Sequence, residues 1–140
     1  MTRGFVFTLF LLLIFAATNH AEPFIDGGNG TVTDKATDLI WQITDDGIPR
    51  TWQEALDYCN GLTLDGNSDW RLPNIKELES IVDDLTFGPA TAPVFSAKSA
   101  RYWSATSNAM FAVNAWHVDF SHGDVGYNHW TLNYYVRCVR

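Results

Sequence analysis

Asp69-Trp70-Arg71-Leu72-Pro73-Asn74-Ile75-Lys76-Glu77-Leu78 is the stretch on which the fold turns. Asn74 is a good helix N-cap, because its short side chain can accept from a backbone N–H that the first helical turn leaves unpaired. The helix that follows carries its apolar stripe on Ile75, Leu78, Ile81 and Val82 and ends before Gly88-Pro89. Just upstream, Asp65-Gly66-Asn67-Ser68-Asp69 has the look of a calcium loop. The geometry fails, since Trp70 stands where such a loop needs Gly and Lys76 where it needs a bidentate Glu. The five residues read instead as a turn that delivers Trp70 to the core.

Further back, Thr51-Trp52-Gln53-Glu54 has capping-box form, and Trp52, Ala55, Leu56, Cys59 and Leu62 follow at helical spacing with Gly61 at the exit. Before this first helix, Thr31–Asp34 and Leu39–Gln42 are short strand-like runs around Lys35-Ala36-Thr37-Asp38, a hairpin. Downstream, 86–100 carries two prolines and many small residues and reads as loop. Tyr102-Trp103-Ser104 is a short strand. Ala115 to Phe120 alternates, with Trp116, Val118 and Phe120 on one face and His117 and Asp119 on an exposed one. Ser121–Asp124 is a turn, and Tyr134 to Val139 a closing strand. Hairpin, two helices, loops and meander make an α+β domain: two helices packed on antiparallel sheet with long loops.

The 140 residues include 16 Asp+Glu against 9 Lys+Arg, a net −7, with 46% apolar residues and six tryptophans. That is enough apolar material for one core, and too much for a chain that stays solvated. The acidic balance opposes phosphate binding, so no nucleic-acid partner is expected. Residues 1–21 read as a secretory signal peptide: Arg3, then the apolar run Phe5–Ala17, then small and polar residues to a cut after Ala21. The run is shorter than the roughly 20 residues of a spanning helix, so no membrane span remains after cleavage. No Cys follows it to carry a lipid. Cleavage removes one positive charge from −7 and leaves −8. Residues 22–30, with three glycines, form a flexible lead-in to a domain at 31–140.

Export to periplasm or medium places Cys59 and Cys138 in an oxidising compartment, where two lone cysteines pair. The alternative is a reactive thiol, for which Arg137 and Arg140 beside Cys138 would supply the positive setting.

Chemistry-bearing residues are few. His117, Asp119 and His122, with Asp124 and His129 nearby, are weak candidates for a transition-metal site, and their spacing matches no established ligand motif. No calcium or transition-metal cofactor is expected. Ser104 has no nucleophile elbow around it. The carboxylate pairs Asp45-Asp46 and Asp83-Asp84 are expected to point apart into water. Asn29-Gly30-Thr31 fits a glycosylation sequon. Trp41, Trp52, Trp70, Trp103 and Trp116 fall within or beside regular elements and are assigned to the core. Trp130 lies in the loop-like Gly126-Tyr127-Asn128-His129-Trp130-Thr131. Tyr127, Asn128, Trp130 and Asn133 therefore form the candidate binding set, aromatic faces for sugar C–H surfaces and amides for hydroxyls. A plain cover for the sheet is the alternative.

The stretch at 69–78 also resembles the DWRLP-x-x-x-EL signature of the Lcl C-terminal domain family, a bacterial exported domain. Flanking segments agree in order: Val32-Thr33-Asp34, Leu39–Gln42, Trp52 with Ala55, Tyr58 and Cys59, Tyr102–Ser104 with Thr106-Ser107, Trp116 with Val118–Phe120 and Gly123, and Tyr135–Arg140. The resemblance runs from about residue 31 to 140. It implies a C-type-lectin-like fold, related to that of formylglycine-generating enzymes, and a disulfide from the first helix to the last strand. In the namesake adhesin the domain binds sulfated glycosaminoglycans as a trimer behind a collagen-like stem. This sequence has no Gly-x-y stem, and its negative charge opposes a polyanionic ligand.

The favoured reading is a secreted or periplasmic, non-catalytic binding module, related to adhesion, for a neutral glycan or a protein surface. It would use loops 86–100, 107–114 and 121–133. Two rivals stand beside it. One is an enzyme, either a formylglycine-generating-type oxidase or a metal-dependent hydrolase. The other is a structural, homo-oligomeric subunit of a cell-envelope assembly.

Overall fold

The structure, a computed structural model, describes residues 23–140. The signal peptide read at 1–21 lies outside the described residues. Three strands open the chain: β1 (Phe24–Asp26), β2 (Thr31–Asp34) and β3 (Ile40–Gln42), an antiparallel sheet in that order with Val32 opposite Trp41. β1 lies inside the stretch expected to be a flexible lead-in and pairs Phe24 with Asp34. Two helices follow, α1 (Trp52–Gly61) and α2 (Ile75–Glu79). A second antiparallel sheet, β4 (Arg101–Ser107), β5 (Asn114–Asp119) and β6 (Asp124–His129), completes the domain. The architecture is α+β, as expected.

The 69–78 stretch shows how the local chemistry works. Trp70 is buried and its Nε1 donates to the carbonyls of Asn67 and Leu64, so the turn does deliver it to the core. Asn74 Oδ1 accepts from the Glu77 amide at 2.9 Å, and Glu77 reaches back to the Asn74 amide at 2.8 Å. Arg71 then closes a two-pronged ion pair on Glu77 at 2.7 and 2.8 Å. α2 is only five residues long, shorter than its apolar spacing predicts. Ser80 Oγ takes the Glu77 carbonyl, and the chain beyond pairs with another segment, Val82 bridging to Thr91. Ile81 is nevertheless buried, delivered by that turn rather than by helix.

Tyr134–Val139 is not a regular strand. Tyr135 bridges to Tyr102 of the second sheet, whereas Val139 bridges to Trp41 of the first and to Arg71. The segment changes partner part-way, so no continuous ladder forms, and it ties the two sheets together. Ile40 and Arg140 exchange both backbone hydrogen bonds, setting the last residues beside β3. Cys59 and Cys138 are joined in a disulfide between α1 and this segment, and no cysteine is free.

The β4–β5 ladder is buried on both faces. Tyr102 and Val118 belong to a core cluster with Trp41, Leu78, Ile81 and Phe120. Trp103 and Ala115, of opposite parity, belong to a second with Trp70, Leu72, Val136 and the disulfide. Each buried indole removes on the order of 200 Å² from water, roughly 5 kcal/mol of transfer free energy. This double burial corrects the expected exposed face of β5: His117 is only 5% exposed. Among the tryptophans assigned to the core, Trp41, Trp70 and Trp103 are buried, but Trp52 and Trp116 are half-exposed.

Candidate functional site

Tyr127 and Asn128 lie on β6, not in a loop, so the expected loop 121–133 is interrupted by strand at 124–129. Gly126, which made the stretch look irregular, sits opposite His117, and a Cβ there would come within 2.9 Å of the imidazole. The glycine is a packing requirement inside a strand. Strand alternation sends Tyr127 and Asn128 to opposite faces. Tyr127 stays exposed beside Trp116 and Phe111, at ring separations of 5.1 and 5.9 Å. Asn128 turns to His117 Nε2 at 2.9 Å and donates to Tyr134 Oη at 2.8 Å.

Asn128 thereby enters a polar cleft made of two adjoining hollows of about 320 and 290 Å³ that share Arg101 and Asp119. Asn133, Ser121 and Tyr134 line the first, and His117, Tyr127 and Asn128 the second. Arg101 Nε donates to Asp119 at 3.1 Å, and its Nη1 reaches Tyr134 Oη at 3.4 Å. Burial pushes the Asp119 carboxyl up, but hydrogen bonds from Ser121 and Arg101 outweigh it and hold the group below the usual carboxylate range.

Trp130 lines a different hollow, of about 360 Å³, with Trp52, Thr51, Gln53 and Thr131. The two indoles are nearly parallel, 8° apart with ring centroids at 6.5 Å. Trp52 is anchored by its Nε1, which donates to the Ser104 carbonyl at 2.8 Å, and by its amide on the Trp130 carbonyl at 3.0 Å. Trp130 is 39% exposed. Of the four candidate residues, Asn128 and Asn133 share the polar cleft, Tyr127 borders it with its ring turned to Trp116 and Phe111, and Trp130 pairs with a tryptophan assigned to the core. The missed signal was position: Trp52 is the first residue of α1, where an apolar stripe reaches the rim of the domain.

A family model for the Lcl C-terminal domain matches residues 30–140. The chain belongs to the Lcl C-terminal domain family. No curated protein sequence matches it. In this Lcl C-terminal domain the residues that carried the resemblance are mostly scaffold: Trp70, Leu72, Trp41, Trp103, Cys59 and Cys138 are all buried. Arg71 and Glu77 pair with each other at the start of α2, and Asp69 takes a two-pronged contact from Arg140 at 2.7 and 3.1 Å. Of the residues that carried the resemblance, Trp52 lines the hollow around Trp130, and Asp119 and Tyr135 line the cleft around Arg101; the other lining residues lie outside the matched motifs.

The weak metal candidates are not assembled in the Lcl C-terminal domain. His117 Nε2 is taken up by Asn128, Asp119 by Arg101 and Ser121, and His122 Nδ1 faces Ser121 Oγ at 2.9 Å. Among the described residues no three His, Cys, Asp or Glu side chains converge as a ligand set. Ser121, His122 and Asp119 do stand together, but with the wrong connectivity for nucleophilic catalysis. The carboxylate is 2.5 Å from the serine hydroxyl, not on the imidazole, so nothing orients the histidine as a base. The expectation for Asp45-Asp46 also needs correction. Asp46 pairs with Arg50, but Asp45 is buried and accepts from Tyr102 Oη at 2.5 Å.

Burial, reinforced by the nearby Arg101 charge and opposed by Asp119, pushes the His117 imidazole down to about 4. The folded domain therefore holds His117 neutral between about pH 4 and 6.5, where the unfolded chain takes up a proton. Stability should rise with pH across that window and be lost as pH falls through it, by on the order of 2 kcal/mol. Urea midpoints at pH 4.5, 5.5 and 7 should show this slope in the wild type and a flatter one in His117→Gln. An unchanged slope in the variant would show that other groups carry the dependence.

Proposed function

We propose that this Lcl C-terminal domain is an exported, non-catalytic binding module, built on a C-type-lectin-like frame, that takes a neutral glycan. The observation that carries the reading is the parallel pair Trp52–Trp130 over its hollow, with Thr51, Gln53 and Thr131 at the rim. Flat apolar faces held rigidly beside hydroxyl and amide groups match the C–H faces and hydroxyls of a pyranose. The adjoining chain leads from Trp130 into the polar cleft, where Asn133, Asn128 and Arg101 offer further donors and acceptors. The net charge of −8 left after cleavage makes a neutral glycan a better fit than a polyanionic one.

Export is supported by the apolar run at Phe5–Ala17 and by a disulfide of the kind that persists in periplasm or medium. Among the described residues no helix is long and apolar enough to cross a membrane. The lectin-like frame is supported by the pairing of the last residues with β3 and by the disulfide from α1 to the closing segment. With both cysteines in that bond, a cysteine-based oxidase would lack its thiols.

The test is an array of neutral glycans probed with wild type and Trp130→Ala, followed by titration of tryptophan fluorescence with each hit. At least a tenfold loss of affinity is expected for the variant, since stacking on one indole contributes about 1.5 kcal/mol or more. Equal binding by both proteins would remove the aromatic pair from the site.

A further inference from the structure

A further hollow, of about 480 Å³, shares no lining residue with the hollows just described. Its apolar wall comes from Phe24 on β1 together with Val82 and Val94. Asp26, Asp83 and Asp84 line it as well. Phe24 is fixed by an edge-on contact with Phe95 at 5.2 Å, so the wall is part of the core's margin and not a loose loop.

Among the described residues the three carboxylates have no ion-pair partner. Among the described residues, every ion pair of the domain uses other acids, namely Asp45, Asp46, Asp69, Glu77, Glu79 and Asp119. Two of them are held in place all the same. Asp26 Oδ1 accepts from the Gly28 amide and Asp83 Oδ1 from the Leu85 amide, at 2.8 and 2.9 Å, which leaves the second oxygen of each free. Immediately after this rim the chain presents Leu85 and Phe87 to solvent, 92% and 82% exposed. Large apolar side chains standing clear of a groove are a mark of an interaction surface. Three negative charges over an apolar wall select against apolar or acidic partners and in favour of one that brings cations together with aliphatic side chains.

We infer that the Phe24–Val82–Val94 groove, with its Asp26, Asp83 and Asp84 rim, docks a lysine- or arginine-bearing apolar segment of a partner polypeptide. The aliphatic side chains of that segment cover Phe24, Val82 and Val94, and its cations reach the three carboxylates. This interaction is separate from glycan binding, and either can fail without the other.

The purified protein should be titrated with a labelled hexapeptide alternating lysine and leucine, read by fluorescence anisotropy. Two comparison peptides replace lysine by glutamine, which removes the charge, or leucine by serine, which removes the apolar faces. The triple variant Asp26→Asn, Asp83→Asn, Asp84→Asn keeps an amide oxygen at each backbone hydrogen bond, so the fold is retained. It should lose affinity for the lysine–leucine peptide by about tenfold or more. Asp38→Asn, Asp57→Asn, Asp65→Asn makes the same change in net charge on exposed acids elsewhere and should bind as wild type does. Equal losses in the two triples would reduce the effect to overall charge and overturn the site. So would wild-type affinity for the lysine–serine peptide equal to that for lysine–leucine, or no binding of lysine–leucine at millimolar concentration.

Discussion

Arg137→Ala should cost about 4 kcal/mol, the largest loss expected of any single substitution in the domain. The side chain is fully buried, and its guanidinium collects backbone carbonyls from three places: Nη1 donates to Gln42 at 2.6 Å and also to Ile43, and Nη2 donates to Ser96 at 2.8 Å. Asp45 Oδ2 lies 3.8 Å from Nη2, and the guanidinium stands over the rings of Phe95 and Tyr102 at 5.2 and 5.7 Å. Burial lowers the pKa of this group, yet an arginine stays protonated in a protein, so the charge must be met where it sits. Truncation would leave the carbonyls without donors, Asp45 without its buried cation and a cavity the size of the side chain. Arg137→Met fills the cavity and should cost less. In Arg137→Met with Asp45→Asn the two losses should not add, because each single change strands the other partner. Urea denaturation of wild type, Arg137→Ala and the three variants of the cycle measures this. A loss below about 1 kcal/mol for Arg137→Ala, or strict additivity in the cycle, would mean that the cluster is held by packing alone.

That cluster also marks where reading the sequence stops. α1 was legible because a capping box and the spacing of an apolar stripe are local signals, both readable within the same dozen residues. The hairpin of β2 and β3 was legible for the same reason. Asp45 was not: next to Asp46 it looks like half of a solvated pair, and only the arrival of Tyr102 and Arg137 from far along the chain makes it a buried acceptor. His117 misled through alternation. On a sheet with one wet face its parity would expose it, but the Tyr134–Val139 segment and α1 cover the side that polarity marks as outer. Gly126 and Asn128 carry turn chemistry in their composition and strand chemistry in their partners, His117 and Tyr134. The same limit governs the site. Trp130 could be singled out as loop-borne, whereas its partner Trp52 obeyed helical spacing and passed for core. Which side of a helix a rim residue faces depends on what packs against it, and that is a long-range fact.

Removing the Cys59–Cys138 bond should lower stability by about 4.5 kcal/mol, the loop-closure entropy released when two residues 79 apart are no longer joined in the unfolded chain. For a domain of this size that is on the order of 15 °C in Tm. The native state should survive the loss. The terminal segment is also held by Val139 on Trp41 and Arg71, by the Ile40–Arg140 exchange and by the Arg140–Asp69 pair. The effect therefore resides mainly in the denatured ensemble, which expands once the link is gone. This gives the prediction a second readout. In Cys59→Ala with Cys138→Ala, the urea midpoint should fall while the m-value rises, because more surface is exposed on unfolding. Were the bond instead holding the native segment in place against strain or fraying, its removal would loosen the folded state and m would fall with the midpoint. Equal midpoints for oxidised protein and the double variant would show that the hydrogen-bonded terminal segment alone joins the two sheets, and that the covalent link adds nothing to them.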